Sequence, residues 1–265
     1  MLNLENISIT FNANTPDEMR VLKNINLNIN KGDFITIIGS NGAGKSTLYN
    51  VIAGTLKPTT GTITLTDENG EKKNITNDAE FRRARYIGRI FQNPRLGTAG
   101  KMSLEDNMMI CYKKGFKGLQ ISLNNKMREF FREQLRVLNM GLENRLGDNV
   151  ELFSGGQRQA LTLLMAVMSK PSLLLLDEHT AALDPTNAAI IMELTRRFAQ
   201  EYNLTVMMVT HNMQHALDYG NRLIMMDKGN IISDISGEEK KQLTMDSIVE
   251  LFKKIKVNND NMMLN

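Results

Sequence analysis

A chain of 265 residues, 42% hydrophobic and 23% charged, has the length and make-up for one large globular core or a core with a subdomain. Its 32 basic and 29 acidic residues leave a formal charge of +3, too even a balance for the concentrated basic face of a nucleic-acid binder. Cys111, the single cysteine, excludes an internal disulfide framework and a cysteine-rich metal site and suits a reducing cytosol.

The opening Met-Leu-Asn-Leu-Glu-Asn has no basic-then-apolar leader, and no later run approaches ~18 uninterrupted apolar residues. A cytoplasmic location is expected, with any membrane role coming through a partner. Leu2, Leu4, Ile7, Ile9 and Phe11, then Val21, Ile25, Leu27 and Ile29, alternate with polar residues at the period of half-buried strands. The stretch from Asn12 to Arg20 reads as a loop, and Asn30-Lys31-Gly32-Asp33 as a turn.

The apolar run Phe34-Ile35-Thr36-Ile37-Ile38 then leads into Gly39-Ser40-Asn41-Gly42-Ala43-Gly44-Lys45-Ser46-Thr47 and a helical pattern from Lys45 to Ala53. Strand, glycine loop and helix in that order make a phosphate-binding loop. Glycines let backbone N–H groups turn inward, and the helix start adds partial positive charge toward phosphate oxygens. Lys45 is placed to reach the β- and γ-phosphates, and the Ser46 hydroxyl to hold Mg²⁺.

Gly54 and Pro58 end that helix. A strand is predicted over Gly61–Thr66, and Asn69-Gly70 signals a hairpin. A further strand, Tyr86–Phe91, runs into Gln92-Asn93-Pro94. From Leu104 to Leu146 the chain turns rich in Met, Leu, Lys and Glu at helical spacing, with Phe130, Phe131, Leu135, Val137 and Leu138 as a packing stripe. This reads as a helical subdomain inserted into an α/β core.

Ser154-Gly155-Gly156-Gln157 opens an apolar helix, Ala160–Met168, and forms a second anion-binding turn with bare N–H groups and a hydroxyl. One nucleotide has no need of two such turns unless the second grips the phosphate on another molecule. The strand Leu173–Leu176 ends in Asp177-Glu178. Adjacent carboxylates at the end of a buried strand are costly without a task. Beside a phosphate loop, Asp177 suits the metal and Glu178 the attacking water, as general base. Beyond them follow a helix over Thr186–Glu201, a strand over Val206–Val209, a helix over Met213–Asp218, strands over Leu223–Met226 and Ile231–Ile235, and an amphipathic helix over Met245–Ile255. Uninterrupted apolar strands of this kind belong in the middle of a parallel sheet.

From Leu2 to Ile255 the chain resembles the ATP-binding subunits of ATP-binding cassette (ABC) transporters. The resemblance implies a P-loop ATPase of α/β class, with a mainly parallel sheet, an N-terminal antiparallel β subdomain and the inserted helices. Its implied organisation is a single domain over 1–257, with 1–91 and 172–236 as core, 95–171 as helical subdomain, 240–257 as C-terminal helix and 258–265 as tail. It makes Gly39 to Thr47 the phosphate loop and gives Gln92 contact with Mg²⁺ or water. Ser154 to Gln157 become the signature that binds the γ-phosphate held by the opposite subunit. Asp184 couples the two sites and His211 is a switch on the γ-phosphate. Phe11 resembles an aromatic that stacks on adenine, with a plain core position as the alternative.

Phe153 stands where Leu is usual before the signature serine, His179 where Pro follows the base glutamate, and Met165 where many relatives carry Arg. The resemblance further implies ATP and Mg²⁺, a second copy bound head to tail, permease subunits on the inner face of the membrane and, indirectly, a substrate-binding lipoprotein. It extends to bacterial importers of amino acids or similar small solutes. An exporter ATPase and a soluble ABC ATPase, such as an iron–sulfur assembly subunit, remain alternatives.

Overall fold

A computed structural model describes residues 1–67, 69–112 and 123–262, with side chains through residue 253. Residues 113–122 of the expected helical insert, and 263–265 of the expected tail, lie outside the described residues. Two compact units emerge: residues 1–83 with 205–265, and residues 84–204. Strand Leu173–Asp177 and the helix after it fall in the second unit. Parallel pairing of the strand with residues 87–90 and helix packing within the second unit account for this.

The first unit opens with β1 (Leu2–Phe11) and β2 (Met19–Ile29), paired antiparallel, followed by β3 (Phe34–Gly39), α1 (Lys45–Ala53), β4 (Thr60–Thr66), β5 (Lys72–Asn74) and α2 (Glu80–Arg83). One sheet has the order β2-β1-β4-β5. Leu2 faces Ile29 and Leu65, and Leu4 faces Leu27 and Ile63, so one face of the sheet is continuously apolar. Simple alternation fails at Val21, because Leu22 is the buried residue and pairs with Ile9. Asn24 takes a left-handed φ of 51° and Asn6 one of 53°, close to irregularities in the strand pairing. Each such bulge inserts one residue and flips the inward parity of the strand.

The second unit holds β6 (Ile87–Ile90), α3 (Leu104–Tyr112), α4 (Asn125–Arg136), α5 (Gly155–Met168), β7 (Leu173–Asp177) and α6 (Pro185–Glu201). Phe131, Leu135 and Leu138 are buried as the stripe required, whereas Val137 caps α4 and is exposed. The Arg128 guanidinium donates to both Glu105 carboxylate oxygens, at 2.8 and 3.2 Å, joining α4 to α3. Helix α5 buries Ala160, Leu161, Leu163, Leu164, Met165 and Val167. It begins at Gly155, five residues before the apolar run that announces it.

The chain then re-enters the first unit with β8 (Val206–Val209), α7 (Met213–Asp218), β9 (Arg222–Asp227), β10 (Asn230–Ser236), α8 (Gly237–Lys241) and α9 (Met245–Met262). Strand β3 lies parallel to both β8 and β9, and β10 closes that edge antiparallel to β9. Ile38, Ala216, Leu223, Met225 and Ile248 form a core cluster that anchors α7 and the start of α9. Helix α9 passes the expected end at Ile255 and reaches Met262, so the tail predicted from residue 258 is helical to that point. Between Lys256 and Met262 the sequence has neither Gly nor Pro to stop it.

Candidate functional site

Strand β3 ends at Gly39, where an added Cβ would lie 2.2 Å from the Met226 carbonyl oxygen on β9. Only glycine fits that approach. Gly44 caps the start of α1 with φ 98°, a left-handed conformation, and its missing side chain leaves room for Leu22 and the Val21 carbonyl. No side chain caps the α1 N-terminus, so its leading N–H groups and the dipole face the loop. Lys45 is 95% buried, and its Nζ donates to the Gly39 carbonyl (2.7 Å) and the Ser40 carbonyl (2.9 Å). Ser40 Oγ donates to Asp227 Oδ1 at 2.9 Å, fixing the loop to the end of β9. Asn41, Gly42 and Ser46 are exposed along the loop, while Ala43 is buried and Thr47 half-buried. This is a cradle of backbone donors with one ammonium, and it fits the phosphates of a nucleotide.

His211 stands at the same edge of the same sheet. It follows β8 by two residues, and the Thr210 N–H donates to the Ile37 carbonyl on β3. Phe11 ends β1 with 38% of its surface exposed, so the core alternative for it is wrong. The β1–β2 hairpin leaves it outward, opposite exposed Met19.

In the second unit, Ser154 caps α5. Its Oγ accepts from the Gln157 N–H and Gln157 Oε1 accepts from the Ser154 N–H, both at 3.2 Å, a capping box. The expected row of bare donors is thus shorter than the sequence suggested, because Gln157 spends its N–H and its side-chain oxygen within the turn. Gly156 packs so tightly on Asn187 that a Cβ would meet Oδ1 at 2.4 Å. Asn187 in turn donates to Asp184, through its backbone N–H at 3.0 Å and its side chain at 2.6 Å. Asp184 caps α6, and the Asn187 side-chain hydrogen bond, with the backbone bonds, holds its carboxyl below the usual range. The signature turn and Asp184 are therefore neighbours, a proximity the sequence did not reveal.

Asp177 ends β7 and lies 3.4 Å from the Arg89 guanidinium of β6, which also stacks over Phe91. Glu178 adopts φ 48°, a left-handed backbone uncommon for a residue with a side chain, and its carbonyl accepts from the Ala181 N–H at 2.9 Å. Such a conformation costs about 1–3 kcal/mol and gathers at functional sites. Gln92 is exposed just after β6. Sequence reasoning missed Arg89 and treated His179 only as an unusual neighbour.

Comparison with known proteins agrees with this geometry. The sequence profile described as ABC transporter matches residues 22–181. The chain belongs to the ABC transporter family. A "Tyrosine transport ATP-binding protein" of Clostridioides difficile (strain R20291) is 41% identical over 95% of this chain and 98% of its own length. The "Phosphonates import ATP-binding protein PhnC" of Lactococcus lactis subsp. lactis (strain IL1403) is 30% identical over 94% and 98%. An ATP-binding cassette solved as a dimer in a post-hydrolysis state with ADP and Pi superposes with a TM-score of 0.71 and 28% identity, over 89% of this chain and 98% of that one. The ABC chain described here is accordingly a nucleotide-binding ATPase subunit of a transporter, with the cassette fold. Among the described residues no helix is long and apolar enough to cross a membrane, and no group of three or more His, Cys, Asp or Glu is set to hold a metal on its own.

Proposed function

We propose that the chain is one half of a nucleotide-driven clamp that powers import of amino acids or similar small solutes. Two copies face each other head to tail, and each ATP is held by Lys45 of one copy and by Ser154 and Gly156 of the other. The observation that carries this reading is the presence, in one chain, of two separate helix starts suited to phosphate, at α1 and at α5. A single nucleotide needs only one.

Within each copy, Ser40 to Gly44 wrap the phosphates with backbone donors, Lys45 binds the β- and γ-phosphates, and Thr47 completes the loop. Ser46, Asp177 and Gln92 offer oxygen donors only and would hold Mg²⁺, which would neutralise phosphate charge. Glu178 removes a proton from the attacking water. His211 contacts the γ-phosphate, Asp184 couples the two sites, Gly155 and Gln157 shape the signature turn, and Phe11 stacks on adenine. Because γ-phosphate contacts cross the interface, ATP favours closure and hydrolysis removes the contacts that favour it.

Membrane attachment comes through permease subunits docking on the second unit, which places the chain on the cytoplasmic side. Leu96 and Leu152 are each 65% exposed, with Met102 also outward, and Met102 is tied by its carbonyl to the Val150 N–H. Exposed apolar side chains such as these suit the helices of a partner. Cargo recognition belongs to the permease and a binding lipoprotein. The phosphonate relative's name supports import of a small solute, and the tyrosine relative's name supports transport of an amino acid. The test is Glu178→Gln with ATP on size exclusion. A shift to a nucleotide-loaded dimer is the expected result, and parent-rate hydrolysis by this variant would remove Glu178 from the role of base.

A further inference from the structure

Three polar side chains with no part in the mechanism above meet behind Glu178, all essentially inaccessible: Gln159 at 0%, Thr195 at 1% and His179 at 2% exposure. Gln159, on α5, donates from Nε2 to the His179 carbonyl at 2.6 Å. His179 Nε2 lies 3.1 Å from Thr195 Oγ1 on α6. Thr195 spends its one hydroxyl proton on the Ile191 carbonyl, at 2.8 Å, so its oxygen can only accept from the imidazole. An Nε2-protonated His179 matches that acceptor.

We infer that Gln159, His179 and Thr195 form a pin that positions Glu178 for catalysis. The pin fixes the peptide after Glu178 to two helices, α5 on the backbone side and α6 on the side-chain side. Glu178 itself holds a left-handed φ of 48°, which its own side chain does not favour and which the surrounding turn must impose. The turn closes through the Ala181 N–H on the Glu178 carbonyl, and the pin grips the residue enclosed by that closure. The cost of the arrangement is visible. Gln159 Oε1 is buried with no hydrogen-bond partner among the described residues, an expense that an apolar residue at 159 would avoid. Packing alone does not explain an amide there, whereas a donor aimed at the His179 carbonyl does. The same amide ties the base turn to the helix that begins at the Ser154 cap.

The three are positioning residues, since none touches the reacting atoms, and the inference rests on the reading of Glu178 as general base. The test is single-turnover ATP hydrolysis and nucleotide affinity, by fluorescent nucleotide titration, in His179→Leu, Thr195→Val, Gln159→Leu and His179→Gln, each first shown folded by circular dichroism. Gln carries an Nε2 donor the same number of bonds from Cβ as histidine and can restore the link to Thr195. Leu and Val at these positions are expected to lower kcat by ~10-fold or more while nucleotide affinity stays within about twofold, and His179→Gln to recover most of the loss. Thr195→Val changes shape least and decides the matter if His179→Leu does not fold. Parent-like kcat in folded Thr195→Val, a loss of affinity equal to the loss of kcat, or His179→Gln no better than His179→Leu would each overturn the pin. Glu178→Gln, measured alongside, separates the two readings. If it is inactive while the pin variants keep the parent kcat, only the pin fails; if it retains parent activity, the base assignment fails first.

Discussion

Arg83 offers the sharpest test of how the phosphate loop is held. It is 1% exposed at the end of α2, and its guanidinium donates to four backbone carbonyls: Asp78 at 3.0 Å, Val51 at 2.7 Å, Ile52 at 2.8 Å and Thr76 at 2.9 Å. Val51 and Ile52 lie in the last turn of α1, so Arg83 caps the carboxyl end of the helix whose amino end carries the phosphate loop. Burial lowers its pKa, yet an arginine remains charged at neutral pH, and a cation there complements the helix dipole. Arg83→Leu would take the charged donor from four acceptors, of which the Val51 and Ile52 carbonyls are buried and Val51 keeps only a 3.3 Å bond from the Gly54 N–H. At ~1–3 kcal/mol for each buried group left short of a partner, the loss is about 3–5 kcal/mol in all. At about 2–4 °C per kcal/mol for a chain of this size, the midpoint of thermal unfolding should fall by roughly 10 °C. Circular dichroism melts with and without MgATP measure this directly. Arg83→Lys should recover less than half, because one ammonium cannot serve a fork of four carbonyls. A fall below about 3 °C for Arg83→Leu, or full recovery by lysine, would refute the argument.

Lys45→Ala should weaken ATP binding by at least ~10-fold in a fluorescent nucleotide titration, since it removes the one buried ammonium of the loop. Leu96→Glu with Leu152→Glu should abolish co-purification of a membrane subunit while leaving the ATPase rate of the isolated chain within about twofold. Lys240 supplies a pH signature. Its Nζ donates to the carbonyls of Leu217, Tyr219 and Gly220, and burial pushes its pKa down to about 8. In the unfolded chain lysine keeps its proton to about pH 10.4, so between those values the unfolded state binds more protons and stability rises with pH. The burial penalty on the charged amine is thus fully present below pH 8 and is relieved toward pH 10.5. Denaturant melts should show the parent gaining stability relative to Lys240→Met across that window, and a flat difference would contradict it.

Much of the fold was legible because its signals are local. A glycine loop between an apolar strand and a helix, a Ser-Gly-Gly turn before an apolar helix and a carboxylate pair after four leucines each declare themselves within ten residues. Long-range parity and pairing were not legible. Nothing near Val21 announces that Asn24 will flip the strand and bury Leu22. The helix-like composition of 104–146 correctly indicates helices, but not that β7 pairs with β6 and joins their unit. The α9 extension escaped because a run of asparagines reads as a loop where no glycine or proline ends the helix. Arg83 and the Gln159–His179–Thr195 group escaped for a common reason. Each is a polar side chain whose partners lie up to 32 residues away, and no periodicity encodes that.

The central claim is that each nucleotide is gripped by two molecules. In a Glu178→Gln background, Lys45→Ala and Ser154→Arg chains are each expected to stay monomeric with MgATP on size exclusion, since neither homodimer has a complete site. Mixed, the two chains restore one site that joins Lys45 of one to Ser154 of the other, and an ATP-dependent dimer should appear. If the mixture stays monomeric while Glu178→Gln alone dimerises, both halves of the grip come from the same chain and the clamp is wrong.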